Sequence, residues 1–157
     1  MSLYVIGMDV TKVRTSAEGP EFTVGTIGRD AETGKMYKYV KFNNGTGNVA
    51  SVANYFAYYY GSGGTTVTMD QSDSTSIGAG VFQAVIADLG YGWIQVAGTA
   101  TLGIALTAGA AGNALTPVGV GADGTLDLSA AVTDAICAYC VDVSTPTAPV
   151  VMLACPL

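Results

Sequence analysis

The clearest alternation of apolar and polar positions lies in residues 35–42, Lys-Met-Tyr-Lys-Tyr-Val-Lys-Phe. Successive side chains of a strand point to opposite sides, so this segment has two distinct faces. One face carries Tyr37, Tyr39 and Lys41, and the other carries Met36, Lys38, Val40 and Phe42. Residues 22–28 alternate in the same way, and residues 30–34, Asp-Ala-Glu-Thr-Gly, have the composition of a turn. The pattern predicts a β-hairpin.

Beyond residue 42, short apolar runs alternate with clusters of Gly, Asn, Asp and Thr. Strands at intervals of about 8–12 residues are typical of a sandwich or a barrel. We therefore predict an all-β fold, a single compact β-sandwich or β-barrel domain over residues 22–157, with an extended N-terminal arm over residues 1–21, of which residues 7–21 are polar. For residues 49–60 a short helix is the alternative to a strand. The other predicted strands are 65–69, 81–86, 93–96, 101–106, 115–120, 125–128, 135–143 and 149–153.

Charge is sparse and unevenly placed. Charged residues make up 11% of the 157-residue chain, against about 25% in an ordinary soluble domain, which argues against a helical bundle. All six Lys and Arg lie in the first 41 residues, whereas residues 42–157 carry seven Asp and no Lys, Arg or Glu. An anionic surface repels phosphate, so we do not expect nucleic acid as a partner.

The sequence predicts neither a membrane span nor a cleaved signal peptide. Residues 92–122 are uncharged, but Gln95, Asn113, Pro117 and several Gly interrupt them, and no Lys or Arg flanks them. Residues 1–9 lack the basic start of a signal peptide.

No motif in the chain points to catalysis. His is absent, so Ser-His-Asp and Cys-His mechanisms lack their base. Residues 45–50 and 119–124 match glycine patterns of nucleotide-binding loops. The first match lacks an acid about twenty residues later and the second precedes no helical pattern, so we interpret both as turns. We predict no enzyme, and no catalytic residue, cofactor or metal site.

The acidic pairs and the cysteines have simple interpretations. Asp70 with Asp73, and Asp123 with Asp127, lack the spacing of a calcium loop, so we expect solvated loop acids. The three cysteines are too few for a four-ligand zinc site, and their Cys-x-x-Cys lacks a βαβ context. We expect buried small apolar side chains at Cys137, Cys140 and Cys155.

Aromatic side chains are concentrated in residues 55–60, Tyr-Phe-Ala-Tyr-Tyr-Tyr. On a strand these rings point to both faces, so half of them need a cover other than the core. Two interpretations stay open, a partner contact through Tyr58, Tyr59 and Tyr60, or a rim of tyrosines at the end of a barrel.

Residues 91–98, Tyr-Gly-Trp-Ile-Gln-Val-Ala-Gly, resemble a strand of bacteriophage head-decoration (capsid cement) proteins. These proteins often carry an aromatic-Gly-Trp-(Ile/Val)-Gln-Val-x-Gly pattern. The resemblance covers roughly residues 22–157, through the hairpin, the Ala/Gly/Thr-rich residues 99–112, Ala-Gly-Asn-Ala-Leu-Thr-Pro at 111–117, the turn at 122–126 and the apolar strand 150–153.

The resemblance implies a structural virion protein that binds the outer surface of an icosahedral phage capsid and stabilises contacts between major capsid protein subunits. It also implies self-association as a trimer or dimer on the shell and no cofactor. Lys12 and Arg14 of the arm are then expected to meet acidic capsid surface. One alternative is a phage tail or fibre domain that stacks Tyr and Trp on a host glycan. Another is a small enzyme with Asp-based chemistry, which would need a deep acidic pocket.

Overall fold

A computed structural model describes residues 4–5 and 8–157, and it confirms the all-β prediction. No helix of the described residues has the length and apolarity to span a bilayer. A single 3-10 turn covers Gln71–Asp73. The strands are β1 (Tyr4–Val5), β2 (Ile27–Arg29), β3 (Met36–Phe42), β4 (Phe56–Tyr59), β5 (Thr66–Thr68), β6 (Gly78–Phe82), β7 (Tyr91–Thr101), β8 (Ala114–Thr116), β9 (Asp127–Leu128), β10 (Ala138–Asp142) and β11 (Val150–Ala154).

Five strands close into a mixed barrel in the order β3-β5-β4-β6-β7, and β7 pairs back with β3. The β3–β5 pair is parallel, whereas the other four pairs are antiparallel. Of the two predicted architectures, the structure is therefore the barrel. Its inner residues join one large hydrophobic core, in which the largest fully buried rings are Tyr58, Phe42, Phe56 and Phe82.

The predicted hairpin is confirmed as the antiparallel pair of β2 and β3, in which Ile27 lies opposite Lys38. The two faces of β3 separate as predicted, because Val40 and Phe42 enter the main core while Tyr37 and Tyr39 join a second cluster. The first strand is shorter than predicted, since residues 22–26 form no strand and the Phe22 ring packs 5.4 Å from the Trp93 ring.

Several other predicted strands differ from the structure, since the one at 81–86 is shifted to Gly78–Phe82, the one at 115–120 is shortened to Ala114–Thr116, and two more differ further. Residues 101–106 do not begin a strand, because β7 continues from Tyr91 to Thr101, where β11 pairs along its second half. Residues 49–60 hold a strand only at β4, and the preceding chain bends where Asn48 and Asn54 adopt positive φ. The helix considered for that segment does not form.

On the β3 side, β1 pairs in parallel with β2, and the strands β8 to β11 extend the barrel wall on the β7 side. β11 pairs with β7, and β10, β8 and β9 follow in that order. Leu115, Ala138 and Leu153 from these strands belong to the same main core as the barrel interior. The outer strands therefore cover part of the barrel and leave their other face outward.

Residues 8–21 lie against the outside of the barrel. The backbones of Arg14 and Tyr91 exchange two hydrogen bonds, of 2.9 Å and 2.8 Å, as an isolated antiparallel bridge. Met8 and Val10 pack on a second hydrophobic cluster formed by Tyr37, Tyr39 and Trp93. The segment thus helps to cover aromatic rings on the outer face of β3 and β7.

Candidate functional site

A pocket of about 900 Å³ opens beside the parallel pair of β3 and β5. This pair spans only Lys41 opposite Thr66 and Phe42 opposite Val67. Towards the start of β3, the neighbouring chain is the β4–β5 loop, residues 61–65. We call this space the seam pocket, and its walls are residues 23–27, Met36, Lys38, Tyr59, residues 61–65, Thr75, Ile77, Pro156 and Leu157.

Lys38 lies at the inner side of the seam pocket and is only 5% exposed. Its ammonium donates hydrogen bonds to the Tyr59 hydroxyl at 2.9 Å and to the Gly64 carbonyl oxygen at 2.8 Å. The Nζ atom also lies 5.0 Å from the centre of the Tyr59 ring, within the range of a cation–π contact. Every group that holds this cation is neutral.

The electrostatics of the seam pocket follow from that arrangement. Burial lowers the pKa of Lys38, because the charged amine loses water and gains no carboxylate. Burial also raises the pKa of Tyr59 to about 12. The phenol therefore keeps its proton at neutral pH, accepts a hydrogen bond from Lys38 and donates one of 2.9 Å to the Pro156 carbonyl oxygen.

The alternation of residues 35–42 predicts Lys38 on the same face as Met36, Val40 and Phe42, and gives it no functional role. The available signal was a lysine among Met36, Val40 and Phe42 on one strand face. A cation at such a position requires a compensating group, because an isolated buried charge is costly.

A second candidate surface is the outward face of β10 and β11. Tyr139, Val141 and Met152 are exposed there, with Met152 49% exposed. Tyr139 lies directly opposite Met152 in the antiparallel register, and Val141 is the bulged residue between Cys140 and Asp142. We call these three residues the outer sheet face. It belongs to the part of the chain without Lys or Arg.

The two basic residues predicted to contact a partner are paired within the chain. Lys12 Nζ lies 2.8 Å from the Glu21 carboxylate, and an Arg14 guanidinium nitrogen lies 3.6 Å from the Glu18 carboxylate. Surface pairs of this kind are weak, so they leave both cations available to a stronger acidic partner. The structure does not bring them near the tyrosines of β4.

The tyrosines predicted as a partner contact are mostly buried. Tyr58 is fully buried, and its hydroxyl donates a 2.6 Å hydrogen bond to the Thr125 carbonyl oxygen. Tyr59 is 6% exposed and faces the seam pocket, while Tyr60 is half-buried. Within the single chain, Tyr58 and Tyr59 therefore present little surface to a partner, because both faces of β4 are buried.

The first glycine motif forms a turn around two carboxylates. The Gly47 N–H donates to Asp70 Oδ2 at 3.0 Å, and the Thr46 N–H donates to Asp73 Oδ2. The backbone donors that a phosphate would need are therefore occupied by the chain's own acids. Asp70 is 3% exposed, so its interpretation as a solvated loop acid is wrong. Hydrogen bonds from Ser72, followed by one from Gly47, lower the pKa of Asp70.

The second glycine motif also meets a carboxylate of its own. Asp123, inside the motif, accepts a 2.9 Å hydrogen bond from the Gln71 N–H. Gly124, at its end, has φ +79, and a Cβ there would lie 2.7 Å from the Tyr55 ring. This glycine is needed for close packing within the fold.

The cysteines are buried and free, as expected for small apolar side chains. The Cys155 thiol donates to the Cys137 carbonyl oxygen at 3.4 Å. Burial raises the pKa of all three thiols, Cys137, Cys140 and Cys155. Thiols of this kind are poor nucleophiles.

Within residues 8–157, no group of three or more His, Cys, Asp or Glu side chains is placed to hold a metal ion. Comparison of the chain with protein families, with curated proteins and with solved structures finds no match. The candidate sites therefore stand on their own geometry, the seam pocket for a small ligand and the outer sheet face for a protein partner.

Proposed function

We propose that this chain is a structural virion protein that binds the outer surface of an icosahedral phage capsid and stabilises contacts between major capsid protein subunits. The observation that carries the proposal is the outer sheet face, an exposed apolar surface on regular strands. Large aromatic side chains and Met are enriched at the centres of protein interfaces. Tyr139 and Met152 stand side by side there on the rigid β10–β11 pair.

Two further properties support a partner-binding role. Residues 42–157 carry few charges, so a protein surface can cover them with little loss of ion hydration. The six cations lie in the first 41 residues together with five acids, and all but the buried Lys38 can meet an acidic shell, whereas the rest of the chain carries acids alone. The resemblance of residues 91–98 to head-decoration proteins supplies the identity of the proposed partner, the major capsid protein.

The glycan-binding alternative has less support from exposed aromatic rings. Trp93, the strongest candidate for stacking on a sugar, is 2% exposed and packs against Tyr39 and Phe22. Tyr139 is the large ring that the outer sheet face presents. A tail or fibre role remains an outcome of the first experiment.

The first experiment measures the copy number of this chain in purified, DNA-filled particles of the virus that encodes it. A shell-coating protein is expected in a ratio to the major capsid protein that is equal or a simple fraction. A few copies per particle would indicate a tail component, and absence from particles would contradict any virion role. Digestion should use chymotrypsin, because no trypsin site follows Lys41.

The second experiment measures binding of variants to particles that lack the protein. Met152→Ser with Tyr139→Ser is expected to weaken binding at least about tenfold, the loss of about 1.4 kcal/mol. The matched control is Val132→Ser, which makes the same apolar-to-polar change at a fully exposed loop residue. Equal binding by both variants would mean that the shell contacts another surface.

The role of these cations is tested by Lys12→Gln with Arg14→Gln. This double variant is preferable to a deletion of the segment, because residues 8–14 cover the second hydrophobic cluster and pair with β7. If the cations meet acidic capsid, binding weakens and its salt dependence flattens. Binding that keeps its salt dependence would remove Lys12 and Arg14 from the interface.

A further inference from the structure

We propose that the seam pocket binds a small carboxylic acid, a single carboxylate carried on an apolar body, with Lys38 as its counter-ion. This inference concerns a small-molecule site, and it is independent of capsid binding.

The side chains that line the seam pocket carry one positive charge. Lys38 is the charged side chain among the lining residues, and no Asp or Glu lies among them. Leu157, the last residue of the sequence, also lines the pocket, but the ion pairs that the described residues form both lie in residues 12–21. No carboxylate of the described residues, including that of Leu157, is therefore paired with Lys38. A buried ammonium without a counter-ion is destabilising, and an anion that enters the pocket removes that cost.

The Lys38 ammonium has one N–H donor more than the acceptors around it. An ammonium has three N–H donors, and the described residues supply two acceptors, the Tyr59 hydroxyl and the Gly64 carbonyl oxygen. Both acceptors are neutral, and Tyr59 is itself fixed by its bond to Pro156. The third donor is available to a ligand, and the geometry of the other two holds Nζ in place.

The walls of the seam pocket have the size and the apolar surface to hold a small ligand. A volume of about 900 Å³ is within the usual range for small-ligand sites. Val24, Ile27, Met36 and Ile77 supply apolar contacts. At Gly61 and Gly64 an added Cβ would meet nothing within 4 Å, so the loop wall leaves open space. An apolar body therefore fits beside the cation.

These features favour a carboxylate over a phosphate. The lining offers one cationic side chain and no arginine, which matches one negative charge. A phosphate dianion needs several donors, which proteins commonly supply with Arg, Lys or a nest of backbone N–H groups. In this chain the N–H groups of Thr46 and Gly47 in the glycine turn already donate to Asp73 and Asp70, and that of Gly45 donates to Asn43.

The test is calorimetric titration of the full chain with hexanoate, and with hexanamide as the uncharged ligand of the same shape. We expect hexanoate to bind and hexanamide to bind at least about tenfold more weakly. Lys38→Met should reduce hexanoate affinity by at least the same factor. The matched control Lys41→Met removes a lysine from the opposite face of β3, outside the pocket lining, and should leave the affinity unchanged.

A second measurement uses the unaltered protein, in case Lys38→Met does not fold. The chain has four lysines, Lys12, Lys35, Lys38 and Lys41, so selective ¹³C-lysine labelling gives a simple spectrum. Hexanoate should shift the Cε signal of Lys38 and leave the other three in place. The proposal is overturned if hexanoate leaves the Lys38 signal unchanged, if hexanamide binds equally, or if inorganic phosphate binds as tightly as hexanoate.

Discussion

Asp70→Asn removes a carboxylate that ties two distant loops together. In the folded protein, Asp70 Oδ1 accepts from the Ser72 N–H at 3.1 Å and the Ser72 hydroxyl at 2.6 Å. Its Oδ2 accepts from the Gly47 N–H at 3.0 Å, across 23 residues of sequence. An amide that keeps the Ser72 contacts turns its NH₂ group towards the Gly47 N–H, so one charge-assisted hydrogen bond becomes a contact between two donors.

The expected loss follows from the charge on Asp70 and from the partial burial of this contact. A hydrogen bond to a charged group contributes about 1.5–3 kcal/mol. Asp70 is buried but Gly47 is exposed, so water can reach the freed N–H and the loss lies in the lower half of that range. We therefore expect the free energy of unfolding to fall by about 2 kcal/mol at neutral pH. For a chain of this length, that corresponds to a Tm lower by about 4–8 °C.

The pH dependence gives a sharper test of the same contact. The hydrogen bonds hold the folded-state pKa of Asp70 below its ordinary value of 3.8. The stabilisation is therefore fully present above the unfolded-state pKa and is lost as the pH falls through the lower folded-state pKa. The stability difference between the original protein and Asp70→Asn should narrow as the pH is lowered from about 7 to about 3.

Urea unfolding at several pH values measures that difference, and Asp142→Asn is the matched control. Asp142 accepts the same two local hydrogen bonds, from the Ser144 N–H and hydroxyl, but it is exposed and has no contact to a distant loop. An equal loss in both variants, or a difference that stays constant down to low pH, would refute the role of the Gly47 contact.

Three other predictions address packing and reactivity. Tyr58→Phe should lower the free energy of unfolding in urea by about 1–1.5 kcal/mol, because the Thr125 carbonyl oxygen loses its hydrogen-bond donor. An unchanged urea midpoint would contradict this prediction. Gly80→Ala should lower the free energy of unfolding by at least about 3 kcal/mol, because Gly80 has φ +153 and a Cβ would overlap the Gln95 carbonyl oxygen. Thermal unfolding measures this loss, and Gly63→Ala, in open loop space, is the control. A thiol reagent should label no cysteine in the native protein and all three after denaturation, and native labelling would contradict the burial of Cys137, Cys140 and Cys155.

Local patterns made the hairpin predictable, and long-range pairing made the barrel harder to predict. The alternation over residues 35–42 and the turn at residues 30–34 are contiguous in sequence, so they specify β2 and β3 directly. The closing pair of β3 and β7 joins segments that are separated by residues 43–90. No local periodicity encodes that distance.

The same difference between local patterns and long-range contacts explains why the candidate sites were predicted only in part. Alternation predicted that Lys38 shares a face with Met36, Val40 and Phe42, but its partners Tyr59 and Gly64 come from a separate part of the chain. Asp70 was interpreted as solvated because the N–H that binds it belongs to Gly47. Half of the tyrosine cluster was expected to need a cover other than the core, but Tyr58 lies in the main core and Tyr59 lines the seam pocket.

The position of β3 also affects how the chain folds during synthesis. On a ribosome, β2 and β3 can pair early, but the second edge of β3 has no antiparallel partner until β7 has emerged. An unpaired strand edge promotes aggregation, and charged residues on the edge strand oppose it. Lys38 and Lys41 lie within β3. Two incompletely folded chains whose β3 edges approach each other therefore repel through these charges. Lys38, which lies in the seam pocket of the folded protein, is therefore expected to oppose aggregation of the nascent chain.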